Sequence, residues 1–143
     1  MEINTEIEIN APSETVWNLL TDTSRFPEWN PFIRRLKGKL HPGQKLAVFI
    51  QPSGTRGMEF KPVVMKVEPN KELRWLGRLI LPGLFDGEHI FQIEPMGGGR
   101  VLFHQREIFS GVLVPLLKNS LETDTRRGFN EMNQKLKQLA ESR

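Results

Sequence analysis

The sequence predicts an α+β domain in which helices cover one face of a curved antiparallel sheet of about seven strands. Three features predict this class: an alternating strand at the start, short apolar segments separated by turn residues in the middle, and apolar residues at helical spacing at the end. The 143 residues suffice for one domain and are too few for two of ordinary size. We therefore expect residues 1–143 to form a single domain.

The N-terminal part predicts one strand and two short helical segments. A half-buried strand is indicated by residues that alternate with polar neighbours, namely Ile3, Thr5, Ile7 and Ile9. In "NAPSETVWNLLTD" (residues 10–22), a proline followed by Ser and Glu is a typical helix start. "TSRFPEWNPF" (residues 23–32) carries two prolines and has room only for a short helical turn before an extended exit.

The middle of the chain predicts a meander of antiparallel strands. Turn residues such as Pro42-Gly43, Ser53-Gly54, Pro69-Asn70 and Pro82-Gly83 divide it into short pieces, and Gly97-Gly98-Gly99 separates the last two. Short extended segments joined by tight turns are typical of an antiparallel sheet. The predicted segments are 32–40, 44–51, 58–68, 72–80, 84–95 and 100–110.

The C-terminal part predicts one long helix from about residue 113. Spacings of three, four and seven or eight residues separate the apolar positions Leu113, Leu117, Leu121, Phe129, Met132, Leu136 and Leu139. Gly128 lies inside this helix, where glycine costs about 1 kcal/mol relative to alanine. It permits a bend or a close approach of another element, or it is merely tolerated.

The dimensions of these elements bear on whether the domain is hollow. About seven strands at roughly 4.8 Å spacing give a sheet some 30 Å wide, whereas a helix with its side chains is only about 10–12 Å across. The sheet must therefore curl around the helix. Large side chains either fill or line the space left between them, and the candidates are Trp29, Phe32, Trp75, Phe91, Phe103 and Phe109.

Three motifs resemble the START-like (SRPBCC) superfamily, which includes the birch pollen allergen fold, polyketide cyclase/dehydrase-like proteins and lipid-transfer domains. They are "INAPSETVWNLLTDTSRFPEWNPFI" near the start, "VEPNKELRW" in the middle, and "GEHIFQIEP" with the run 103–117 near the end. The resemblance spans nearly the whole chain. It implies a helix-grip fold with a ligand cavity between the sheet and the final helix, but no universal catalytic set, since this fold hosts many functions.

The segment 86–111 places three polar residues on an aromatic face. His89, Gln105 and Glu107 are in phase with Phe91 and Phe103, and we assign this odd-numbered face to the interior. A turn over residues 96–100 sets the register, which pairs Pro95 with Val101, His89 with Glu107, Phe91 with Gln105, and Ile93 with Phe103. A loop two residues shorter would place His89 opposite Gln105 instead.

His89 and Glu107 have three interpretations. They form a polar anchor for a hydroxyl, carbonyl or carboxylate on an otherwise apolar wall, or they satisfy one another and touch no ligand. Alternatively, they carry protons in a cyclisation or dehydration. Trp29 also has two interpretations, since it either gates the cavity mouth or caps the core. In the middle of the sheet, a three-residue turn at 69–71 would place Met65 opposite Trp75.

The candidate ligand-binding residues share an inward or cavity-facing assignment. They are Trp29, Phe32, Met65, Trp75, His89, Phe91, Phe103, Gln105, Glu107, Phe109 and Leu117. His89 and Glu107 are also the possible catalytic pair.

Composition excludes several chemistries. The chain has no cysteine, so disulfides and thiolate nucleophiles are excluded, and it has no tyrosine to donate a proton. Asp86, Glu88 and His89 cluster in sequence without enough ligands for a metal site. The glycine triplet joins two strands rather than opening a helix, so it is not a phosphate-binding loop. We expect no metal and no cofactor.

Charge and hydropathy limit the expected partners. The net charge is +3, but the basic residues are dispersed and lack interleaved aromatics, so we expect no nucleic-acid binding. The opening "MEINTEIEIN" is not a basic-then-apolar leader, and no apolar run approaches the roughly 20 residues of a membrane span. These features, with the absence of cysteine, indicate a cytoplasmic protein that is not inserted in a membrane. Its oligomeric state stays open.

The favoured hypothesis is a binding or carrier protein for a hydrophobic or amphipathic small molecule. The alternative is an enzyme that cyclises or dehydrates a polyketide-like chain, with His89 and Glu107 as proton carriers. A third possibility is a partner-binding module in which the cavity is residual.

Overall fold

A computed structural model describes residues 1–79 and 81–143. The N-terminal elements are β1 (Glu2–Ile9), α1 (Ser13–Thr21), a 3₁₀ turn (Thr23–Arg25) and α2 (Phe26–Trp29). The central strands are β2 (Ile33–Lys37), β3 (Ala47–Ile50), β4 (Met58–Phe60), β5 (Val63–Glu68), β6 (Glu72–Leu79), β7 (Phe85–Gly97) and β8 (Arg100–Ser110). A continuous C-terminal helix follows, made of α3 (Val114–Ser120), a π-helical turn (Leu121–Thr125) and α4 (Arg126–Glu141).

The predicted element order and the α+β class are confirmed, with differences in the number and length of the strands. The segment 58–68 is two strands rather than one, because the chain breaks at Pro62, which has no backbone N–H to give to a ladder. The segments 32–40 and 44–51 also contribute shorter strands than predicted. The end of the predicted segment 72–80 falls on Ile80, which lies outside the described residues.

Two antiparallel sheets wrap around the C-terminal helix as a helix-grip fold. The larger has the strand order β1-β8-β7-β6-β5, and the smaller has the order β2-β3-β4. The two meet where Leu46 N–H donates to the Pro62 carbonyl and Val64 N–H donates to the Gln44 carbonyl. Because β1 pairs with β8, the chain ends of the larger sheet come together beside the helix.

Large side chains fill one end of the trough between the sheet and the helix. Phe91 and Phe103 stack with their ring centroids 6.2 Å apart. They meet Phe129, Met132 and Leu136 from α4, and none of these five side chains is more than 1% exposed. In this region the aromatic residues therefore fill the space rather than line a void.

Gly128 permits a close approach of the helix to Phe32. A Cβ atom on Gly128 would overlap the Phe32 ring, which itself packs edge-on against Phe129 at 5.4 Å. Of the alternatives left open by the sequence, close approach is therefore the one realised. It brings the helix down onto the entry to β2.

Candidate functional site

A small apolar pocket remains at the other end of the trough. Its volume is about 100 Å³, and it is partly open to solvent. Val48 and Ile50 line it from β3, Leu79 and Phe85 from β6 and β7, and Leu121 from the π-helical turn. Ligand pockets for drug-sized molecules are usually roughly 300–1,000 Å³, so this one accommodates a small ring or the end of a longer chain.

The pocket exists because two facing positions carry no side chain. Gly77 on β6 pairs directly with Gly87 on β7, and both line the pocket. Inward-facing positions on neighbouring strands would otherwise fill this space, as Trp75 and His89 do one step further along the same face. The missing side chains thus open the wall of the sheet at this one level.

Gly87 also makes room for the carboxylate of Glu107. A Cβ atom on Gly87 would collide with Glu107 Oε2. On Gly77 a Cβ atom would meet only the Pro62 Cβ at 3.8 Å and the Gly87 carbonyl at 3.9 Å, which is ordinary contact distance. The two glycines therefore have different roles: one accommodates Glu107 and the other leaves open space.

His89 and Glu107 lie side by side in the pocket wall, as the predicted register requires. β7 and β8 pair Pro95 with Val101 and His89 with Glu107, so this part of the prediction is confirmed. The Nδ1 atom of His89 is 3.0 Å from Oε1 of Glu107. The His89 side chain is 1% exposed and that of Glu107 is 16% exposed, which places the pair at the boundary between the core and the pocket.

The contact between these two groups is close but poorly aligned. Among the described residues, Nδ1 of His89 has no hydrogen-bond partner, although Oε1 of Glu107 lies within ion-pair distance. A ring nitrogen that is buried without an aligned partner is unusual, since most buried polar atoms are hydrogen-bonded. A ligand that forms a hydrogen bond with Nδ1 would therefore satisfy a buried polar atom that has no aligned partner among the described residues.

The other ring nitrogen of His89 belongs to a buried polar network. Nε2 lies 3.0 Å from Oε1 of Gln105, and Nε2 of Gln105 donates to Oδ1 of Asn133 at 2.8 Å. Nδ2 of Asn133 donates to the hydroxyl of Thr5 at 2.9 Å. That hydroxyl donates to the backbone carbonyl of Gln105 at 2.7 Å. The network ties β1, β8 and the C-terminal helix to the imidazole ring on β7.

Aromatic rings hold the other faces of His89. Trp75, Phe91 and Phe129 lie with their ring centroids 5.2, 4.4 and 5.0 Å from that of the imidazole. Because the ring is enclosed on these sides and tethered at Nε2, its Nδ1 edge is the one that faces Glu107, and Nδ1 itself is buried.

The structure brings five of the predicted ligand-binding residues together at the pocket and separates the others from it. Those at the pocket are Phe32, Trp75, His89, Glu107 and Phe109. Phe91 and Phe103 belong to the solid core, and Gln105 belongs to the polar network. The inward orientation of Phe91, Phe103 and Gln105 was predicted, but the C-terminal helix covers these side chains, so they do not line the pocket.

Met65, Trp29 and Leu117 lie outside this pocket. The expected pairing of Met65 with Trp75 is wrong: Val64 occupies that position because a bulge shifts the register, and Met65 is 49% exposed. Trp29 packs edge-on against Phe26 at the margin of the core, in the manner of a cap. Leu117 is exposed on α3.

The outward-facing acidic residues of β7 do not join His89. Glu88 pairs with Arg74 at 3.1 Å, and Asp86 accepts a hydrogen bond from the backbone of Gly83. Across residues 1–79 and 81–143, no cluster of His, Asp and Glu side chains is arranged to hold a metal ion.

Several residues of the site were not predicted. Thr5 and Asn133 were not recognised as members of the polar network that ends at His89, because they are distant in sequence and only the packing of α4 on β1 brings them together. Gly77 and Gly87 carried a usable signal, since each interrupts an aromatic inward-facing series with an empty position. Leu121 and Thr125 reach the pocket from a π-helical turn, a feature that often occurs at functional sites.

Among the described residues, no helix combines the length and apolar character that crossing a bilayer requires.

Comparison with sequence families gives a match over nearly the whole chain. Residues 1–141 match the family described as polyketide cyclase / dehydrase and lipid transport. No curated protein matches the chain at a significant level.

Solved structures with the same architecture cover the chain almost completely. The aromatase/cyclase Zhui from Streptomyces sp. R1128 has a TM-score of 0.80 at 12% identity, over 100% of this chain and 94% of its own. Protein MLL2253 from Mesorhizobium loti has a TM-score of 0.75 at 24% identity, over 97% and 96% of the two chains. A START superfamily protein from Mycobacterium smegmatis has a TM-score of 0.71 at 20% identity, over 96% and 98%. At these identities the likeness concerns the fold alone.

Proposed function

The chain belongs to the polyketide cyclase/dehydrase and lipid transport family, and on that premise we propose that it binds a small apolar or amphipathic molecule in the pocket at Gly77 and Gly87. The family match and the START superfamily neighbour confirm the START-like resemblance of the sequence. The observation that carries the proposal is the pocket itself, whose wall is mostly apolar and includes the polar pair His89 and Glu107.

The composition of the pocket wall supports a binding role. Small-molecule sites are mostly apolar and carry a few placed polar groups that fix the orientation of the ligand. Here Trp75, Phe85 and Phe109 supply aromatic surface, while His89 and Glu107 supply the polar groups. A ligand therefore gains from burial along most of its surface and from hydrogen bonding at one end.

The size of the pocket limits what it encloses. An apolar cavity of about 150 Å³ holds benzene, and this pocket of about 100 Å³ is partly open. We infer that the ligand places one ring or a short chain end inside and extends the rest toward Phe60 and Leu121 at the margin, both of which are partly exposed.

An NMR titration with single-ring aromatic compounds and short-chain alcohols tests this function. Binding is expected to perturb backbone amides around the pocket, with little change at the filled end of the trough near Leu136. The matched variants are Gly77→Val and Arg78→Val, which place the same side chain on opposite faces of one strand. Valine at 77 projects into the pocket, whereas valine at 78 replaces an exposed residue.

The expected result is that Gly77→Val abolishes binding and Arg78→Val preserves it. Binding that is unaffected by Gly77→Val would place the ligand elsewhere. Absence of binding by every compound would leave the chain as a scaffold with a residual cavity.

The second candidate function is cyclisation of a polyketide-like chain, favoured by the 3.0 Å contact between His89 and Glu107. In this reaction the Glu107 carboxylate takes a proton from the carbon between two carbonyls. The resulting carbanion forms a bond to a second carbonyl carbon of the same chain. Protonated His89 then transfers its Nδ1 proton to the alkoxide, which leaves a cyclic hydroxyketone with the composition of the substrate.

Glu107→Gln distinguishes the two functions. An enzyme of this kind loses turnover of a linear poly-β-ketone thioester while it still binds the compound, and Glu88→Gln on the outer face serves as the control. A binding protein gives no cyclised product above the uncatalysed background in either variant or in the unaltered chain.

A further inference from the structure

The hydrogen-bond network determines which nitrogen of His89 carries a proton. The backbone carbonyl of Gln105 can only accept, so the hydroxyl of Thr5, 2.7 Å away, must donate its single proton there. That hydroxyl therefore accepts from the amide nitrogen of Asn133, whose oxygen accepts from the amide nitrogen of Gln105. The side-chain oxygen of Gln105 is then the atom that faces His89, and Nε2 of His89 must donate to it.

This polarity fixes the charge of the pair in the pocket wall. With a proton on Nε2, the Nδ1 atom of a neutral His89 would present a lone pair to Glu107 Oε1 at 3.0 Å. Two acceptors at that distance repel one another unless a proton lies between them. A second proton, either on Nδ1 or on the Glu107 carboxylate, removes this repulsion, and in both cases the net charge of the pair is zero.

No other charged side chain balances a charged ligand. Among the described residues that line the pocket, His89 and Glu107 are the titratable ones, and the indole N–H of Trp75 and the hydroxyl of Thr125 are uncharged polar groups. A carboxylate placed there meets Glu107, and an ammonium group meets His89 when the imidazole is protonated. Burial of either charge without a counter-charge is costly.

A hydroxyl group satisfies both members of the pair. It accepts a hydrogen bond from Nδ1–H, the nitrogen that has no aligned partner among the described residues, and it donates its own proton to the carboxylate of Glu107. A carbonyl group can satisfy only Nδ1–H. Because Glu107 is 16% exposed and lines the pocket, a ligand can reach its carboxylate.

We propose that the pocket selects a ligand whose buried end is an uncharged hydroxyl, such as a phenol, that bridges Nδ1 of His89 and the carboxylate of Glu107. This selectivity rests on the proposed binding function. The proposed selectivity disfavours free fatty acids and amines, because these compounds would place a charged group beside His89 and Glu107.

The test uses three probes that share one tail: 4-propylphenol, 4-propylbenzoate and 4-propylbenzylamine. Affinities are measured by NMR titration at neutral pH with the unaltered chain, Glu107→Gln and Glu88→Gln. We expect the phenol to bind the unaltered chain and Glu88→Gln about tenfold more tightly than either charged probe. In Glu107→Gln the discrimination against the benzoate should largely disappear, because the repelling carboxylate has gone.

The outcomes separate this selectivity from the binding function. If none of the probes binds, the binding function itself fails. If the benzoate or the amine binds the unaltered chain as tightly as the phenol, or if Glu107→Gln keeps the original preference, the pocket binds ligands but the proposed selectivity is wrong.

A second measurement needs no variant. A long-range ¹H–¹⁵N spectrum of the unaltered chain should show Nε2 of His89 protonated at neutral pH, as the network requires. An unprotonated Nε2 would overturn the charge assignment on which the selectivity depends.

Discussion

Single residues decide where this domain is open. Gly77 and Gly87 face each other across β6 and β7, and the space that they leave becomes the pocket. Glu107 occupies part of the space above Gly87, which brings its carboxylate to the edge of His89. The polar pair and the opening thus depend on the same glycine.

Substitution of the two glycines by alanine should have different effects. Gly87→Ala places a Cβ atom against Oε2 of Glu107, the end of a flexible side chain that can shift away, so we expect a loss of no more than about 1 kcal/mol in the free energy of unfolding. Gly77→Ala meets only ordinary contacts and is expected to be neutral or stabilising by up to about 1 kcal/mol. Chemical denaturation measures both, and equal effects at the two positions would contradict the distinct roles assigned to them.

Asn133 carries the polar network from the helix to the sheet. Asn133→Ala removes a hydrogen-bond partner from both Gln105 and Thr5 in the buried interior, so a loss of about 1–3 kcal/mol is expected. The exposed neighbour Gln134→Ala should change the stability by no more than about 0.5 kcal/mol. Similar stabilities for the two variants would show that the network contributes little.

The secondary structure elements show how the C-terminal helix is seated. The apolar spacing of this helix was predicted from the sequence. Its π-helical turn was not predicted, because one extra residue in a turn leaves no visible change in the spacing of the apolar residues. Gly128 was recognised as unusual within a helix, and the structure supplies the reason in the ring of Phe32. The local sequence therefore indicated that something approaches the helix, and only the tertiary fold identifies it.

Gly128→Ala tests this contact. Alanine is the better helix former by about 1 kcal/mol, yet its Cβ atom overlaps Phe32, so we expect a net destabilisation of about 1–3 kcal/mol. Asn130→Ala on the exposed side of the same helix is the control and should stabilise slightly. Stability is measured by thermal or chemical denaturation. A Gly128→Ala variant that is more stable than the unaltered chain would contradict the close packing of the helix on Phe32.

The outer face of the sheet carries an ion network that predicts a response to acid. Burial alone would raise the pKa of Glu72, but hydrogen bonds from Arg74, Gln92 and Lys66 outweigh it and lower the pKa to about 2. A depressed carboxyl pKa stabilises the fold above the unfolded pKa of about 4.3, and this contribution is lost as the pH falls toward 2.

Unfolding measurements between pH 5 and pH 2 should detect this contribution. The unaltered chain is expected to lose on the order of 3 kcal/mol more than Glu72→Gln over this interval. Parallel pH profiles for the two proteins would show that Glu72 is not the group responsible.

The whole molecule combines a solid core with a small opening at one end of the trough. The alternation of inward residues limited the partner of His89 to Gln105 or Glu107, and a turn over residues 96–100 predicted Glu107, which is the observed pairing. The position of Met65 was not predictable, because a bulge in β5 reverses its orientation without a local sequence signal. The network behind His89 was equally unpredictable, since Thr5 and Asn133 are distant in sequence and only folding brings them to Gln105.

How much of the trough between the sheet and the helix is filled could not be predicted from the sequence either. The dimensions of sheet and helix indicated a gap but not how much of it Phe91 and Phe103 would fill. The pocket that remains has a volume of about 100 Å³, which is enough for a small ligand or for one end of a larger one.

A crystal structure of the chain soaked with 4-propylphenol tests the proposed site. The ring is predicted to lie between Trp75 and Phe109, with its hydroxyl within hydrogen-bond distance of both Nδ1 of His89 and the carboxylate of Glu107. A pocket that stays empty at saturating ligand, or a ring bound with its hydroxyl turned away from this pair, would contradict the proposal.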